Sequence, residues 1–415
     1  MAFQRFECLS SEVLMIFTLA FWLFYTLPKL LLSWLQIRHI ERFSRATPII
    51  LEEKGYKEAA AYAKSKEGLA MVETLLEGAL FGIWLYGGLF WLEQNLGETE
   101  PSWLGSLLFV LGFVILGSLF LLPLEAYKKL ILDRRFGFAK GDAKLFILDQ
   151  LKSLALWLLL GSPILLALLW ILKNLEDWWL YGWGLVMGIL LLANLFYPTL
   201  IAPLFNRFTP LEDASLQERI DELLHKAGFK SQGVFVMDAS RRDGRLNAYF
   251  GGLGKSKRVV LFDTLLQKVG ERELLAILGH ELGHFRHGDL YKNLAFSAFL
   301  LLLLFYVAGH LPSSLFEAAS IEASAHATLA LLLLVASPLS FWLMPLFGIL
   351  SRHNEYEADR FGAEMEDAKA LSSALVALVN ENRSFPYSHP AFIFFYYTHP
   401  PLLQRLEALG YFHDH

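Results

Sequence analysis

The chain has 415 residues, of which 55% are hydrophobic and only 19% are charged, and its mean hydropathy is +0.42. Soluble domains carry about 25% charged residues, so this composition argues against a set of soluble domains, a disordered chain or a coiled coil. The formal net charge of −5 predicts no nucleic-acid partner. The single cysteine, Cys8, excludes an internal disulfide, a cysteine-based zinc site and an iron–sulfur cluster.

The apolar residues are concentrated in seven uncharged blocks, most of which reach the roughly 20 residues needed to span a bilayer. These blocks are Val13–Pro28, Gly78–Leu92, Ser102–Leu124, Ser153–Leu172, Trp178–Asn206, Asn293–Phe316 and Ala323–Ser351. The first two are short: Lys29 ends the first block and is predicted to snorkel, and Glu77 shortens the second. We predict seven membrane spans, the first of which is retained and is not a cleaved signal peptide.

The basic residues of the connections alternate between the two sides of the membrane. The connections 35–73 and 125–152 each contain seven Lys and Arg residues, whereas 93–101 and 311–322 contain none. The positive-inside rule then places the N-terminus outside and the C-terminus inside. The long connection 207–292 and the tail after Ser351 fall on the same inner side.

The connection 207–292 has the pattern of a small α+β element. Helical periodicity covers Leu211–Ala227 and Glu271–His287, and Gly233–Met237 and Arg258–Phe262 are typical of short strands. The segment Ala248–Gly254 between the strands is rich in glycine. Gly288 is predicted to end the second helix, and Asp289 is predicted to cap the helix that becomes span six.

The second helix carries a His-Glu-x-x-His motif at His280, Glu281 and His284. Because four residues turn an α-helix by about 400°, both imidazoles project from one face, one turn apart, and can reach one metal ion. Two imidazoles and a carboxylate suit zinc, which leaves a fourth position for water, and Glu281 lies near enough to take a proton from that water. The motif predicts a metalloprotease site with one Zn²⁺ per chain.

The third protein ligand is expected from the segment after span seven. There Glu355 and Asp359 are four residues apart and share a helix face. One of them can ligate the ion while the other holds a ligand histidine by its second ring nitrogen. Two alternatives stay open: His353 on the same helix, and His287, although about 10.5 Å of helical rise separates His287 from His280.

Five segments of the chain carry a resemblance to a known family. They are Asp133–Phe138, Asn247–Phe250, His280–His284, Glu355–Asp359 and His399–Arg405. In sequence and order these segments resemble the integral-membrane zinc metalloproteases that include the type I CAAX prenyl protease. The resemblance covers most of the chain and is strongest after residue 200.

The resemblance implies roles for individual residues. Glu355 matches the third zinc ligand, and Asp359 matches the carboxylate behind a ligand histidine. Asn247 matches a residue that holds the substrate backbone near the metal, and His399 and Arg405 match positions at the edge of the active site, where His399 can stabilise the oxyanion. Each of these last three also has a structural interpretation: Asn247 fixes a turn, His399 precedes a helix start, and Arg405 pairs with an acidic residue.

The predicted reaction is peptide-bond hydrolysis by a zinc-bound water. Glu281 takes the proton as general base and passes it to the leaving amine, while zinc and His399 hold the oxyanion. The predicted substrate is a prenylated C-a-a-X tail or a membrane protein in quality control. The compact loops favour a bacterial cytoplasmic membrane and therefore quality control. A eukaryotic source would place the protein in the ER membrane. The alternatives are an intramembrane metalloprotease of another class, a zinc-binding membrane transporter and a structural membrane protein with a vestigial site.

These observations predict an all-α polytopic membrane protein whose seven transmembrane helices enclose a chamber, with a small inner-side α+β zinc metalloprotease element. We expect a lipid bilayer and a peptide or protein substrate as partners, no nucleic acid, and a monomer with its active site facing the cytoplasm. The predicted parts are residues 1–206 with spans 1–5 and inner-side helical loops, 207–291 with the metalloprotease element, 292–350 with spans 6 and 7, and 351–415 with the C-terminal helical segment that supplies the third ligand.

Overall fold

The computed structural model describes residues 2–97, 99–100, 102–251 and 258–413. Seven helices in this part of the chain are long and apolar enough to cross a membrane, which confirms the predicted number of spans. They are span 1 (Ser11–Phe43), span 2 (Glu53–Gly97), span 3 (Ser102–Arg135), span 4 (Ala143–Asn174), span 5 (Trp178–Phe196), span 6 (Asp289–Gly309) and span 7 (Ala325–Met365). The protein is therefore an integral, multi-pass membrane protein built mainly from helices.

Short π-helical turns interrupt the first four spans and follow the fifth. They are Trp22–Thr26, Trp84–Gly88, Glu93–Gly97, Lys128–Leu132, Trp157–Gly161 and Tyr197–Ile201, the last of which continues into the helical turn Ala202–Phe205. A π-helical turn bends the helix that contains it. These spans therefore depart from regular α-helical geometry at these turns.

The two charges that shorten the first predicted spans pair with each other. Lys29 Nζ lies 2.7 Å from Glu77 Oε2, and both side chains bond to the Tyr25 hydroxyl at 3.1 Å. Lys29 therefore has a partner within the helix bundle, and its predicted snorkelling stays a prediction. Because the pair satisfies both charges, spans 1 and 2 continue as helices well beyond the apolar blocks seen in the sequence.

A second polar contact joins spans 2, 3 and 7. His326 at the start of span 7 places Nε2 2.9 Å from Glu93 Oε2 of span 2 and Nδ1 3.0 Å from Ser106 Oγ of span 3. His326 and Glu93 are both buried. The contact ties together the ends of spans 2, 3 and 7 that lie far from the His-Glu-x-x-His helix.

The segment between spans 5 and 6 forms a four-stranded sheet with three helices. The strands are β1 (Phe208–Pro210), β2 (Val234–Met237), β3 (Ala248–Gly251) and β4 (Arg258–Phe262), and the helices are α1 (Ala214–Lys226), α2 (Asp263–Lys268) and α3 (Glu271–Arg286). The strand order is β1-β2-β4-β3, with β2 and β4 parallel and the other two pairs antiparallel. The α+β expectation is confirmed, although β1 and β3 were not predicted and residues 252–257 of the glycine-rich segment lie outside the described residues.

The core of this element forms where α1 and α3 pack on β4. Ile220 of α1, Val259 and Leu261 of β4, and Leu274 and Leu278 of α3 are almost fully buried there. The apolar residues of α3 recur at helical spacing, so one face of the helix lies on the sheet. The opposite face is free to meet span 7.

The chain after span 6 differs in detail from the prediction. Span 6 ends at Gly309, and the remainder of the predicted apolar block forms a separate helix, α4 (Ser313–Ala318). Span 7 begins where Ser324 Oγ accepts a hydrogen bond from Ala327 N and continues unbroken to Met365. The remaining helices are α5 (Ala368–Glu381), α6 (Pro390–Tyr396) and α7 (Leu402–Ala408).

Candidate active site

Glycines allow α3 to pack directly on the last turns of span 7. A Cβ atom on Gly283 would lie 2.8 Å from Ala358 Cα, and one on Gly362 would lie 2.8 Å from His280 N. A Cβ on Gly279 would lie 3.2 Å from Gly362 Cα. Ordinary carbon–carbon contacts are about 3.5–4.0 Å, so only glycine permits this backbone approach. The approach places the His-Glu-x-x-His face of α3 against the turn of span 7 that carries the acidic residues.

His280, His284 and Glu355 meet at this contact. Their ligand atoms all lie within 4.8 Å of one another. Glu355 Oε1 lies 3.3 Å from His284 Nε2, and Glu355 Oε2 lies 3.6 Å from His280 Nε2. Glu355 Oε2 is buried and has no hydrogen-bond partner in the described part of the chain. A buried carboxylate oxygen without a donor, beside two imidazole nitrogens, fits the binding of a metal cation.

Each histidine is held by a carboxylate on its other ring nitrogen. His280 Nδ1 lies 2.8 Å from Asp359 Oδ1, and His284 Nδ1 lies 2.8 Å from Asp289 Oδ2. These contacts leave both Nε2 atoms directed at Glu355, which is the arrangement found around metal-binding histidines. The sequence places Asp359 in such a position, but it misses Asp289.

Asp289 was predicted as a helix cap, and this expectation is wrong. Gly288, with a φ of +69°, is the residue that precedes span 6, and Asp289 is the first residue of the helix. Its carboxylate binds His284 and also accepts a hydrogen bond from Lys292 Nζ at 2.7 Å. Lys292 Nζ donates a second hydrogen bond to Asn354 Oδ1 at 3.0 Å, and so ties span 6 to the residue before Glu355. The only signal in the sequence is an acidic residue five positions after His284.

Arg405 lies directly behind the ligands. Its guanidinium binds both oxygens of Asp359, with Nε 2.8 Å from Oδ2 and Nη2 2.6 Å from Oδ1, and Nη1 lies 3.5 Å from Glu355 Oε2. Burial lowers the pKa of Arg405, but the hydrogen bonds to Asp359 and the negative charges of Asp359, Glu355 and Glu281 together raise it above its ordinary value. Arg405 therefore pairs with an acidic residue, as one of its two interpretations predicts.

His399 stands in front of the ligands. Its side chain is 63% exposed, with Nε2 3.3 Å from Glu355 Oε1 and Nδ1 3.0 Å from Thr398 Oγ1. Enclosure of this loop by protein lowers the pKa of His399, while the Glu355 charge opposes that shift. An imidazole in this position can donate a hydrogen bond from Nε2 to an oxygen in the site.

Two cavities meet at Glu281. One, of about 740 Å³, opens between spans 5, 6 and 7, and the other, of about 500 Å³, lies against the sheet element; Glu281 and His399 line both. Burial raises the pKa of Glu281, and the neighbouring His280 and His284 oppose that shift. Asn247 lines the smaller cavity, and its Oδ1 accepts a hydrogen bond from the backbone of the following residue at 2.9 Å.

The two alternative histidine ligands lie away from this group. The side chain of His353 is 70% exposed, and its Nε2 lies 3.7 Å from Glu357 Oε1. The ring of His287 packs against Phe361 at a centroid distance of 6.1 Å. Neither belongs to the set of ligand atoms formed by His280, His284 and Glu355.

Comparison with known proteins matches nearly the whole chain. The sequence model of the CAAX prenyl protease N-terminal region, five membrane helices, matches residues 36–207, and the model of peptidase family M48 matches residues 210–412. The chain is 34% identical to the CAAX prenyl protease 1 homolog of Oryza sativa over 77% of this chain and 76% of that protein. It is 30% identical to the human CAAX prenyl protease 1 homolog over 92% of this chain and 88% of that protein.

A solved structure shows the same fold. The crystal structure of S. mikatae Ste24p superposes with a TM-score of 0.83 at 27% sequence identity, covering 97% of this chain and 98% of that one. The histidines and carboxylates gathered where α3 meets span 7 are the donor set that a metallopeptidase needs. The chain therefore belongs to the CAAX prenyl protease family within peptidase family M48, and it is a membrane-embedded metalloendopeptidase.

Proposed function

We propose that the protein is a zinc endopeptidase that removes the last three residues of prenylated C-a-a-X tails. The observation that carries this proposal is that the two cavities meet at Glu281, in front of the three ligand residues. A peptide that passes from one cavity to the other presents one bond to the site. The names of the relatives support C-a-a-X tails as the substrate class.

His280, His284 and Glu355 would hold the zinc ion. Two imidazoles and one carboxylate are a common ligand set for catalytic zinc, and no cysteine competes for the ion. When bound, the ion supplies Lewis-acid chemistry by acidifying a water and polarising the scissile carbonyl. Because one chain supplies all three ligands, we expect one zinc ion per chain and an active monomer.

The other residues would act on the proton and on the substrate. Glu281 accepts a proton from the attacking water and then donates it to the leaving amine. His399 donates a hydrogen bond to the carbonyl oxygen as negative charge develops on it. Asn247 holds the substrate backbone from the wall of the smaller cavity. Asp359 and Arg405 keep His280 in the orientation that ligation requires.

The two cavities fit the two halves of such a substrate. The larger cavity opens between membrane spans, and its wall combines polar residues around Glu281 with Ala193, Tyr197 and Phe347, so the apolar part of it can hold an isoprenoid chain. The smaller cavity is lined by Leu246 and Leu371, among other apolar residues, and suits the aliphatic residues that follow the prenylated cysteine. We therefore place the prenyl group in the larger cavity and the released tripeptide in the smaller one.

We infer that the site faces the cytoplasm. The two segments that build it, 207–292 and the tail after span 7, lie at one end of the spans, at the same end as the Lys- and Arg-rich connections 35–73 and 125–152. The positive-inside rule assigns that end to the cytoplasm. In a bacterial source the membrane is the cytoplasmic membrane, and in a eukaryotic source it is the ER membrane.

The test compares a farnesylated peptide with the same peptide unmodified, using purified protein in lipid nanodiscs loaded with zinc. We expect release of the C-terminal tripeptide from the farnesylated peptide only. The Glu281→Gln variant should keep its zinc and lose activity by about 10²–10⁴-fold, because the amide cannot accept a proton. Equal cleavage of both peptides would instead support a protease of membrane quality control, and an active Glu281→Gln would remove Glu281 from the mechanism.

A further inference from the structure

The segment Asp133–Phe138 at the end of span 3 takes no part in the metal chemistry, yet it contacts the chain that leads into β3. Gly244 N donates a hydrogen bond to Phe138 O at 2.9 Å, and Lys140 N donates one to Arg242 O at 3.2 Å. Ala139 and Asp243 form an antiparallel bridge between these hydrogen bonds. The backbone after span 3 is therefore paired with the backbone just before Asn247.

Arg245 is the centre of this contact. Its Nη2 lies 2.6 Å from the Tyr62 hydroxyl of span 2 and 3.3 Å from Asp133 Oδ1 of span 3. Its Nη1 lies 2.8 Å from Asp243 Oδ2, and the guanidinium carbon lies 4.3 Å from the centre of the Phe138 ring. We call these five residues the arginine clamp: Tyr62, Asp133, Phe138, Asp243 and Arg245.

The clamp is held firmly on the membrane side. The side chain of Asp133 is only 7% exposed, and the Tyr62 hydroxyl donates a hydrogen bond to it at 2.8 Å. Among the described residues Arg245 is the one cation in an ion pair with Asp133. A buried carboxylate that loses its counter-charge is strongly destabilised, so Arg245 and Asp133 have to stay together.

The backbone that follows the clamp is also held in place, next to the smaller cavity. Arg245 O accepts a hydrogen bond from Thr264 Oγ1 at 2.9 Å, and Leu246 N donates one to Asn382 Oδ1 at 2.9 Å. The next residue is Asn247, in the wall of the smaller cavity, and β3 begins at Ala248. Only Leu246 therefore separates the residue whose guanidinium is held by spans 2 and 3 from the residue whose side chain is proposed to hold the substrate.

We propose that Arg245 is a positioning residue. Through the arginine clamp it fixes the position of Asn247 and of the start of β3 relative to the metal ligands. This inference rests on the proposed function, because it assumes that Asn247 and the smaller cavity bind the peptide. Arg245 also lines the smaller cavity, but among the described residues no hydrogen bond or ion pair joins it to the ligands or to Glu281. Its loss should therefore weaken peptide binding, which raises KM, while it leaves zinc binding and kcat largely unchanged.

The experiment measures bound zinc, kcat and KM for Arg245→Met, Arg245→Lys and Tyr62→Phe in full-length protein in nanodiscs. We expect KM to rise at least tenfold in Arg245→Met, with about one zinc per chain and kcat within about threefold of the parent. Arg245→Lys should not restore KM, since an ammonium group cannot make the forked contacts of a guanidinium. Tyr62→Phe keeps the ring and removes one partner, so it should fold and raise KM by a smaller factor.

Arg242→Met is the matched control. Arg242 belongs to the same segment and binds both oxygens of Asp149 of span 4 at 2.9 Å, but its side chain does not line the smaller cavity. Its KM should stay within about twofold of the parent. Because Tyr62 does not line the smaller cavity, a raised KM in Tyr62→Phe separates positioning from direct contact between Arg245 and the peptide. A parental KM in Tyr62→Phe, or a loss of zinc in step with activity, would overturn the inference.

The choice of peptide separates this inference from the proposed function. Each variant is assayed on whichever peptide the parent cleaves. If the parent cleaves farnesylated and unmodified peptides equally, the substrate class is wrong, but a raised KM in Arg245→Met on either peptide still supports the positioning role. If the parent cleaves only the farnesylated peptide and Arg245→Met has the parental KM, the positioning role alone is wrong.

Discussion

Replacing Gly283 with alanine tests whether the contact between α3 and span 7 sets the metal site. The new Cβ would lie 2.8 Å from Ala358 Cα and 3.2 Å from Phe361 Cβ. Since carbon atoms pack at about 3.5–4.0 Å, the two helices have to separate by about 1 Å. Metal–ligand distances tolerate only about 0.2 Å, so this separation pulls Glu355 away from the position that His284 requires.

The expected result is a larger effect on zinc than on the fold. Alanine is favoured over glycine inside a helix by about 1 kcal/mol, and overpacking of this kind costs about 1–3 kcal/mol. The net loss of stability is therefore at most about 2 kcal/mol, which the protein should survive. Zinc affinity should fall at least about tenfold, as it does when support of a ligand is lost.

The assay is a zinc titration against a chelating indicator, together with thermal unfolding of the zinc-free protein. Gly362→Ala should behave like Gly283→Ala because its Cβ would also lie 2.8 Å from backbone, whereas Gly279→Ala, at 3.2 Å, should have a smaller effect. Gly82→Ala in span 2 is the matched control, since its Cβ would have no neighbour within 4 Å. Parental zinc affinity in both Gly283→Ala and Gly362→Ala would refute the argument that this contact positions the ligands.

Three further predictions concern the ligand support, the general base and the topology. Asp289→Asn should weaken zinc binding by about 10–100-fold in the same titration, whereas a residue that only capped span 6 would change the unfolding temperature alone. Burial raises the pKa of Glu281, and a general base must be ionised to act. On acidification kcat/KM should therefore fall with an apparent pKa above the ordinary glutamate value of about 4.3. An acidic limb of the pH profile at or below that value would contradict the assignment of Glu281 as the base. In a Cys8→Ser background, an impermeant thiol reagent applied outside should label Thr99→Cys and leave Ser231→Cys unlabelled, and the reverse pattern would invert the topology.

The metal-binding group is the part of the site that the sequence predicts best. The helical repeat places His280 and His284 on one face of α3, whatever the surrounding fold. In the same way it places Glu355 and Asp359 on one face of span 7. The structure adds the contact between the two faces, which the sequence hints at only through the requirement that both segments share one side of the membrane. Local periodicity therefore predicts which side chains share a helix face, the resemblance selects Glu355 among the candidate third ligands, and neither shows how the two segments meet.

Asp289 shows where local reasoning ends. It follows Gly288, whose positive φ reverses the chain between α3 and span 6, so no helical repeat relates Asp289 to His284. At such a break the direction of a side chain is decided by tertiary packing, and a helix cap is the natural local interpretation of an acidic residue. The glycines Gly283 and Gly362 are hidden for the same reason, because their role depends on a partner helix that is distant in sequence.

The charges within spans 1 and 2 likewise show that tertiary contacts decide what a local pattern cannot. Counted separately, Lys29 and Glu77 each interrupt an apolar block, and the sequence makes both spans look too short. Paired at 2.7 Å, they satisfy each other, and the helices run for 33 and 45 residues. Whether a charge interrupts a span thus depends on how two helices are rotated towards each other, and the hydropathy of one helix carries no information about that rotation. The number of spans can still be predicted, because it depends on the total apolar length of each block. The residues at which the spans end cannot, because they depend on contacts between spans.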